Sequence, residues 1–272
     1  MPELPEVETI RRDLATSARG KRIVSVRVLH PGSVKGTGGK EFAAKLAGRR
    51  MIDFRRRGKN LIIDLDTGQA LVIHLKMTGV LLMQRADDSL PRAARIIFDF
   101  AGGGRLVFCD QRKFGSIQLA DDPDSLASIS NLGPEPLGRA FTPQVLGQRL
   151  RGRSAPIKPL LLDQTVIAGL GNIYACEALH RAGISPRRSA SSLSVKEITR
   201  LHRSMVEVLK AAIKARGSSV DTYRDGRGRS GWFQVNHRVY DRQGRKCLRC
   251  GCLIRRETLR GRGTYWCPKC QR

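Results

Sequence analysis

The hydrophobic period of this chain changes along its length, and those changes limit what it can fold into. Val7, Ile10 and Leu14 recur at helical spacing over residues 5–17. A strand period then takes over. Val24, Val26 and Val28 alternate with polar residues, and Leu61, Ile63 and Leu65 lead through Asp66-Thr67-Gly68 to Leu71, Ile73 and Leu75, which reads as a hairpin. A second hairpin is predicted from Ile96-Ile97-Phe98-Asp99-Phe100, glycines 102–104 and Leu106-Val107-Phe108. Many short alternating strands predict a two-layered β-sandwich behind an N-terminal helix. Leu132-Gly133-Pro134-Glu135-Pro136-Leu137 breaks the pattern, and helical spacing returns after it. Ser194 and Glu197 form a capping box ahead of Ile198, Leu201, Met205, Leu209, Ala212 and Ile213, with Gly217 as the expected stop. Gly36-Thr37-Gly38-Gly39-Lys40 has the wrong spacing for a phosphate loop and reads as a plain loop, while the basic, glycine-rich residues 224–231 are expected to be mobile.

Charge narrows the partner. Lys and Arg number 50 against 24 Asp and Glu, a net charge of +26 spread along the chain. Such an excess favours a polyanion. No apolar run reaches the ~18 residues that a membrane helix needs, and no lipidation motif or signal sequence is seen. Nucleic acid is therefore the expected partner, membrane is not, and the chain is expected in the cytoplasm.

Seven cysteines include Cys247-x-x-Cys250 and Cys267-x-x-Cys270, with 16 residues between the pairs. Two such knuckles supply four thiolates to one tetrahedral Zn²⁺, with no position left open for chemistry, so the expected metal is structural. Between them, Arg255–Thr264 serves equally as a phosphate clamp or as a solvated charge run. Gly169-Leu170-Gly171-Asn172 precedes a helix from Ile173 to about Ala182, with Asn172 as its expected N-cap and phosphate binding or a plain cap as the two readings.

The N-terminus carries the chemistry. Removal of Met1 from Met1-Pro2-Glu3-Leu4-Pro5-Glu6 leaves a secondary amine on Pro2. An α-amine titrates near ~8 and a lysine near ~10.4, so the terminal amine is the better nucleophile at neutral pH and can form a Schiff base. Glu3 and Glu6 are candidate proton carriers beside it. The same residues also suit a helix start, with Pro in the first turn and acids at its positive end. Met77, Arg112 and Phe114 suit the space left by an extruded base, or else a core beside surface charge; Lys59 fits a phosphate contact or a solvated charge.

Taken together, these segments resemble the formamidopyrimidine-DNA glycosylase family, also called 8-oxoguanine DNA glycosylase/AP lyase. The resemblance is carried by residues 1–9, His74–Gly79, Asp110–Gly115, Leu132–Leu137, Ile157–Gln164, Gly169–Tyr174 and Gly261–Cys270, and so spans the whole chain. It implies an α+β multidomain protein with a catalytic β-sandwich domain at 1–131, a linker at 132–146, a helix–two-turn–helix domain at 147–235 and a zinc finger at 236–272. By the same resemblance, damaged double-stranded DNA lies between the lobes of a monomer. Pro2 attacks C1′, Glu3 works as acid and base, and Glu6 supports the site. Lys59, Asn172 and Arg262 map to phosphate contacts, His74 and Lys158 lie near DNA, and Met77, Arg112 and Phe114 fill the void.

Two departures stand out. Pro91-Arg92-Ala93-Ala94-Arg95 occupies the place of a frequent Lys-His-x-His pattern, and Arg216 takes the first glycine position of a Gly-Gly-Ser-Thr loop. The expected activity is removal of oxidised purines followed by β,δ-elimination. The alternatives are a sister activity on oxidised pyrimidines and a non-catalytic zinc-ribbon DNA binder.

Overall fold

Alternation sorts the strand side chains into two layers. In the computed structural model, which describes residues 1–220 and 223–272, Leu61, Ile63, Leu71 and Ile73 turn into one core with Ile96, Phe98, Leu106 and Phe108. Their sequence neighbours Ile62 and Val72 face the other way and pack under Ile129, while Ile97 and Val107 join a separate outer cluster. Asp221 and Thr222 of the 215–232 segment lie outside the described residues.

The chain runs α1 (Leu4–Ser17), β1 (Ile23–Val28), β2 (Val34–Lys35), α2 (Gly39–Leu46), β3 (Met51–Arg57), β4 (Asn60–Leu65), β5 (Ala70–His74), β6 (Gly79–Gln84), β7 (Ala94–Phe100), β8 (Arg105–Asp110) and β9 (Ser116–Ala120). It continues through α3 (Ala127–Ser130), α4 (Pro143–Leu150), α5 (Ile157–Leu162), α6 (Asn172–Ala182), α7 (Val195–Lys214), β10 (Arg255–Leu259) and β11 (Arg262–Trp266). One sheet has the order β1-β7-β8-β6 and the other β2-β9-β5-β4-β3. Both expected hairpins form, β4 with β5 and β7 with β8. Val7, Ile10 and Leu14 bring α1 onto the shared core.

Three local expectations change. Val24 is 49% exposed, because a bulge between Ile23 and Ser25 shifts the β1 register and turns it to solvent. The 36–40 loop ends early, since Gly39 already begins α2. Residues 224–231 are tied down rather than loose: Asp225 is fully buried, its amide donates to the Arg229 carbonyl at 2.9 Å, and Met83 donates to the Gly226 carbonyl at 3.1 Å.

Contacts divide the chain into two compact units. The first is Met1–Ser130 with Ala215–Trp232; the second is Asn131–Lys214 with Phe233–Arg272. Residues 215–232, which sequence boundaries group with the helices, thus belong with the sandwich. In the second unit α6 and α4 pack on α7, and α5 packs on α6. Gln164 staples the two turns between α5 and α6: its amide donates to the carbonyls of Leu162 and Leu170 and accepts from the Gly169 amide.

Glu177 of α6 is the counterpart for the zinc-finger approach. Its carboxylate accepts from the amides of Arg238, Val239 and Tyr240 at 2.8–3.0 Å. Burial raises its pKa although all three amides oppose the rise. Glu177→Ala should orphan those amides and lower the stability of the zinc-loaded protein by about 2–4 kcal/mol, read as a shift of the denaturant midpoint.

Candidate active site

The first turn of α1 is capped by its own acids. Glu3 is the N-cap residue, and it exchanges capping-box bonds with Glu6; the Glu3 amide donates to Glu6 Oε2 at 2.8 Å. Pro2, Glu3 and Glu6 are all buried. Helix start and candidate site are therefore one structure, not competing readings. The other oxygen of Glu6, Oε1, accepts from the Ser218 amide at 2.8 Å. That approach needs a glycine next door: a Cβ on Gly217, at φ +82°, would lie 2.8 Å from Glu6 Oε1.

Glu8, one turn on, holds the β3–β4 hairpin. It accepts from Arg11, Arg12 and Arg56, and Arg56 also donates to the Gly58 carbonyl at 2.8 Å, next to Lys59. Burial would raise the Glu8 pKa, but the three guanidiniums outweigh it and hold the carboxyl below its usual range. Lys59 itself is 8% exposed.

Strand register explains how the void-filling candidates meet. His74 at the end of β5 pairs with Ser116 at the start of β9, and Gly79 at the start of β6 pairs with Asp110 at the end of β8. The connections 75–78 and 111–115 consequently run side by side. Buried Asp110 fastens them: it accepts from the Thr78 hydroxyl, from the Arg112 amide at 3.2 Å and from the Gly115 amide at 2.6 Å. On this base Arg112 donates to Met77 Sδ at 3.0 Å and lies 4.9 Å from the Phe114 ring centre. Met77 and Phe114 stay 40% and 55% exposed, so neither is a core residue. Arg95, from the departing 91–95 segment, donates to the Asp110 carbonyl at 2.8 Å. Asp110 and Thr78 were not singled out from sequence. Their signal was their place on either side of the exposed trio.

His74 is kept neutral. Burial first, then the charges of Lys76 and Lys59, lower its pKa to about 4. Its Nδ1 accepts from the Lys76 amide at 3.0 Å, which leaves Nε2–H as a donor.

The second unit gathers Lys158, Asn172 and the β10–β11 hairpin. Lys158 is fully buried, and its ammonium donates to Asn172 Oδ1 at 2.6 Å, Thr264 Oγ1 at 2.9 Å and the Gly263 carbonyl at 3.1 Å. This lysine, placed near DNA by resemblance, braces its neighbours from within. Asn172 is not the N-cap; Gly171 is, and the Asn172 side-chain Nδ2 donates to the Gly263 carbonyl at 3.0 Å. The hairpin turns through Arg260 and Gly261, at φ +44° and +72°, which leaves Arg262 exposed at its tip.

Cys247, Cys250, Cys267 and Cys270 bring their Sγ atoms within 4.8 Å of one another. A tetrahedron with Zn–S of about 2.3 Å has S···S edges of about 3.8 Å. The Cys250–Cys267 and Cys247–Cys270 separations of 3.4 and 3.9 Å bracket that value, so the four thiols fit one structural zinc. Cys252 is not in the cluster.

Comparison with known proteins agrees with this arrangement. Residues 1–117 match the formamidopyrimidine-DNA glycosylase N-terminal domain, 132–224 its H2TH domain and 244–272 the zinc finger found in FPG and IleRS. The formamidopyrimidine-DNA glycosylase of Pelotomaculum thermopropionicum is 46% identical over 100% of this chain and 99% of its own length. That of Chloroflexus aggregans is 48% identical over 100% and 98%. The Lactococcus lactis FPG, as a point mutant bound to a Fapy-dG containing DNA, superposes with a TM-score of 0.94 at 38% identity, covering 100% of both chains. Its complex with an abasic site containing DNA gives 0.93 at 38% identity, covering 99% of each. A sandwich with an acid-capped N-terminus, a two-turn helical segment and a four-cysteine finger define a DNA glycosylase fold. The chain belongs to the formamidopyrimidine-DNA glycosylase family.

With a folded-state pKa below the unfolded one, His74 binds fewer protons when folded, so stability should fall as pH drops from about 6.5 towards 4. Its NMR titration should centre near 4. His74→Gln should flatten that part of the acid-induced loss by on the order of 2 kcal/mol.

Proposed function

We propose that the Pro2 amine, freed by removal of Met1, is the nucleophile of a bifunctional glycosylase/lyase acting on oxidised purines such as 8-oxoguanine and formamidopyrimidines in double-stranded DNA. The observation that carries this reading is the Glu6 carboxylate, placed between the Glu3 amide and the Ser218 amide beside residue 2. The family's enzymatic assignment and its DNA-bound structural neighbours support it.

In this scheme the Pro2 nitrogen forms a bond to C1′ as the C1′–base bond breaks, and the base leaves with the electron pair and takes up a proton. Glu3 carries protons at the sugar, and Glu6 holds the first turn in place. The nitrogen gives up its proton, and O4′ leaves C1′ with the bonding pair and takes up a proton carried by Glu3. The sugar ring thus opens to a C1′=N iminium that acidifies C2′. Loss of the C2′ proton expels the 3′ phosphate, and a second elimination expels the 5′ phosphate, leaving a one-nucleotide gap flanked by phosphates. Met77, Arg112 and Phe114 occupy the space of the extruded nucleotide. Lys59, Asn172 and Arg262 bind backbone phosphates, with His74 offering its Nε2–H nearby, while Lys158 braces Asn172 from within. Zinc, when bound, holds the two cysteine knuckles together. Among the described residues no helix is long and apolar enough to cross a membrane. The proposed protein works on DNA in the cytoplasm, as a monomer.

Borohydride trapping on a duplex carrying 8-oxoguanine opposite cytosine tests the scheme. A covalent adduct at residue 2, lost or strongly weakened in Pro2→Gly, is expected. Absence of an adduct on both lesion and abasic-site duplexes, with Met1 removed and binding intact, would leave a non-catalytic DNA binder. Separately, Arg262→Ala should weaken binding to all duplexes and reduce the slope of log K against log salt by about 1. An unchanged slope would remove Arg262 from the phosphate contacts.

A further inference from the structure

Arg216 stands at a backbone position that suits glycine. Its φ is +61°, in the left-handed region, and Gly217 follows at +82°. An arginine held there needs a compensating interaction. Its guanidinium meets two carboxylates: Nη2 donates to Asp13 Oδ2 and to Asp225 Oδ2 at 2.5 Å each, and Nε donates to Asp225 Oδ2 at 2.8 Å. Asp13 is 5% exposed and Asp225 fully buried. Asp13 lies on α1, the helix whose first turn carries Glu3 and Glu6.

The surroundings of the triad are closely fitted. Asp13 Oδ2 also accepts from the Gly226 amide at 3.2 Å, and Asp225 Oδ1 accepts from the amides of Arg227 and Arg229 at 2.9 Å. Burial favours the neutral acid at Asp225, but those amides and Arg216 outweigh it and hold its pKa below the usual range. The Tyr223 hydroxyl donates to the Arg216 carbonyl at 3.2 Å. A Cβ on Gly231 would come within 2.6 Å of the carbonyl oxygens of both Arg216 and Gly217, so the two ends of the segment touch backbone to backbone.

We propose that Arg216, clamped between Asp13 and Asp225, is a positioning residue for the catalytic N-terminus. It fixes Gly217 and Ser218 against α1 so that the Ser218 amide holds Glu6, and Glu6 in turn holds the Glu3 amide. The path is continuous: Asp13 and Asp225 to Arg216, two residues along the backbone to the Ser218 amide, then across one carboxylate to Glu3. The two carboxylates are buried while the Arg216 side chain is 33% exposed. Desolvation of the acids offsets much of the attraction, and the best-attested use of such pairs is to select one arrangement among several. Such a residue reveals itself in rate more than in melting temperature.

The test rests on the Pro2 reading and separates its failure from that of the clamp. Single-turnover borohydride trapping is measured at saturating abasic-site duplex for the full-length, zinc-loaded wild type, Arg216→Gln, Arg216→Lys, Glu6→Gln and the Arg216→Gln/Glu6→Gln double variant. Arg216→Gln should trap about tenfold more slowly, with Kd for undamaged duplex within about twofold of wild type. Arg216→Lys, which keeps a charge for the two carboxylates, should recover part of that loss. In the Glu6→Gln background the Arg216 change should add less than about twofold, because both act along one path. A wild type that does not trap overturns the Pro2 reading. A trapping wild type with an equally fast Arg216→Gln overturns the clamp alone. So does a full tenfold loss added on top of Glu6→Gln. If Arg216→Gln does not fold, Arg216→Lys against Glu6→Gln decides by the same criterion.

Discussion

The organisation of the first unit depends on one carboxylate that belongs to two places in the chain. Glu6 caps its own helix through the Glu3 amide and, 212 residues later in sequence, receives the Ser218 amide. A carboxylate suits this task because its two oxygens accept in different directions from a single rigid group. Residues 215–232 therefore count with the sandwich although the helices precede them in sequence. The same device recurs elsewhere. Glu177 gathers three successive amides, and Asp110 fastens two neighbouring turns. In each case a buried acid meets backbone N–H groups and fixes irregular chain that has no ladder of its own.

These acids also explain what could and could not be read from sequence. The sandwich strands, α1, the long α7 and the cysteine finger were legible because period and spacing are local properties. The β4–β5 hairpin formed around Asp66-Thr67-Gly68 as its turn chemistry requires. Val24 was misplaced because a bulge breaks the alternation without leaving a mark in composition. Residues 224–231 looked mobile because they are basic and glycine-rich. What holds them is Asp225 itself together with Asp13, over two hundred positions away. Long-range pairing of this kind has no periodic signature.

The candidate site shows the same division. Pro2, Glu3, Glu6 and the four cysteines lie in contiguous or regularly spaced motifs, and the structure groups them as those motifs suggest. Met77, Arg112 and Phe114 come from separate turns and meet only because strand register aligns His74 with Ser116 and Gly79 with Asp110. Lys158 has bonding partners that only the fold brings to it. The resemblance places it near DNA but does not show its partners: its ammonium is buried and meets two side chains and a carbonyl from positions 172, 263 and 264.

That inward lysine has a consequence for how such a protein can change by descent. Replacing Lys158 alone would take a charged donor from the Asn172 oxygen and from the Thr264 hydroxyl, which keeps its own bond to the Arg262 carbonyl; replacing either of those alone would withdraw a partner from a buried ammonium. Each single step removes a charge-assisted hydrogen bond at a buried ammonium, which costs more than a surface change does. The three positions, spread over more than a hundred residues, are thus expected to be inherited as one block. A lineage that abandons the arrangement would have to exchange all of it together.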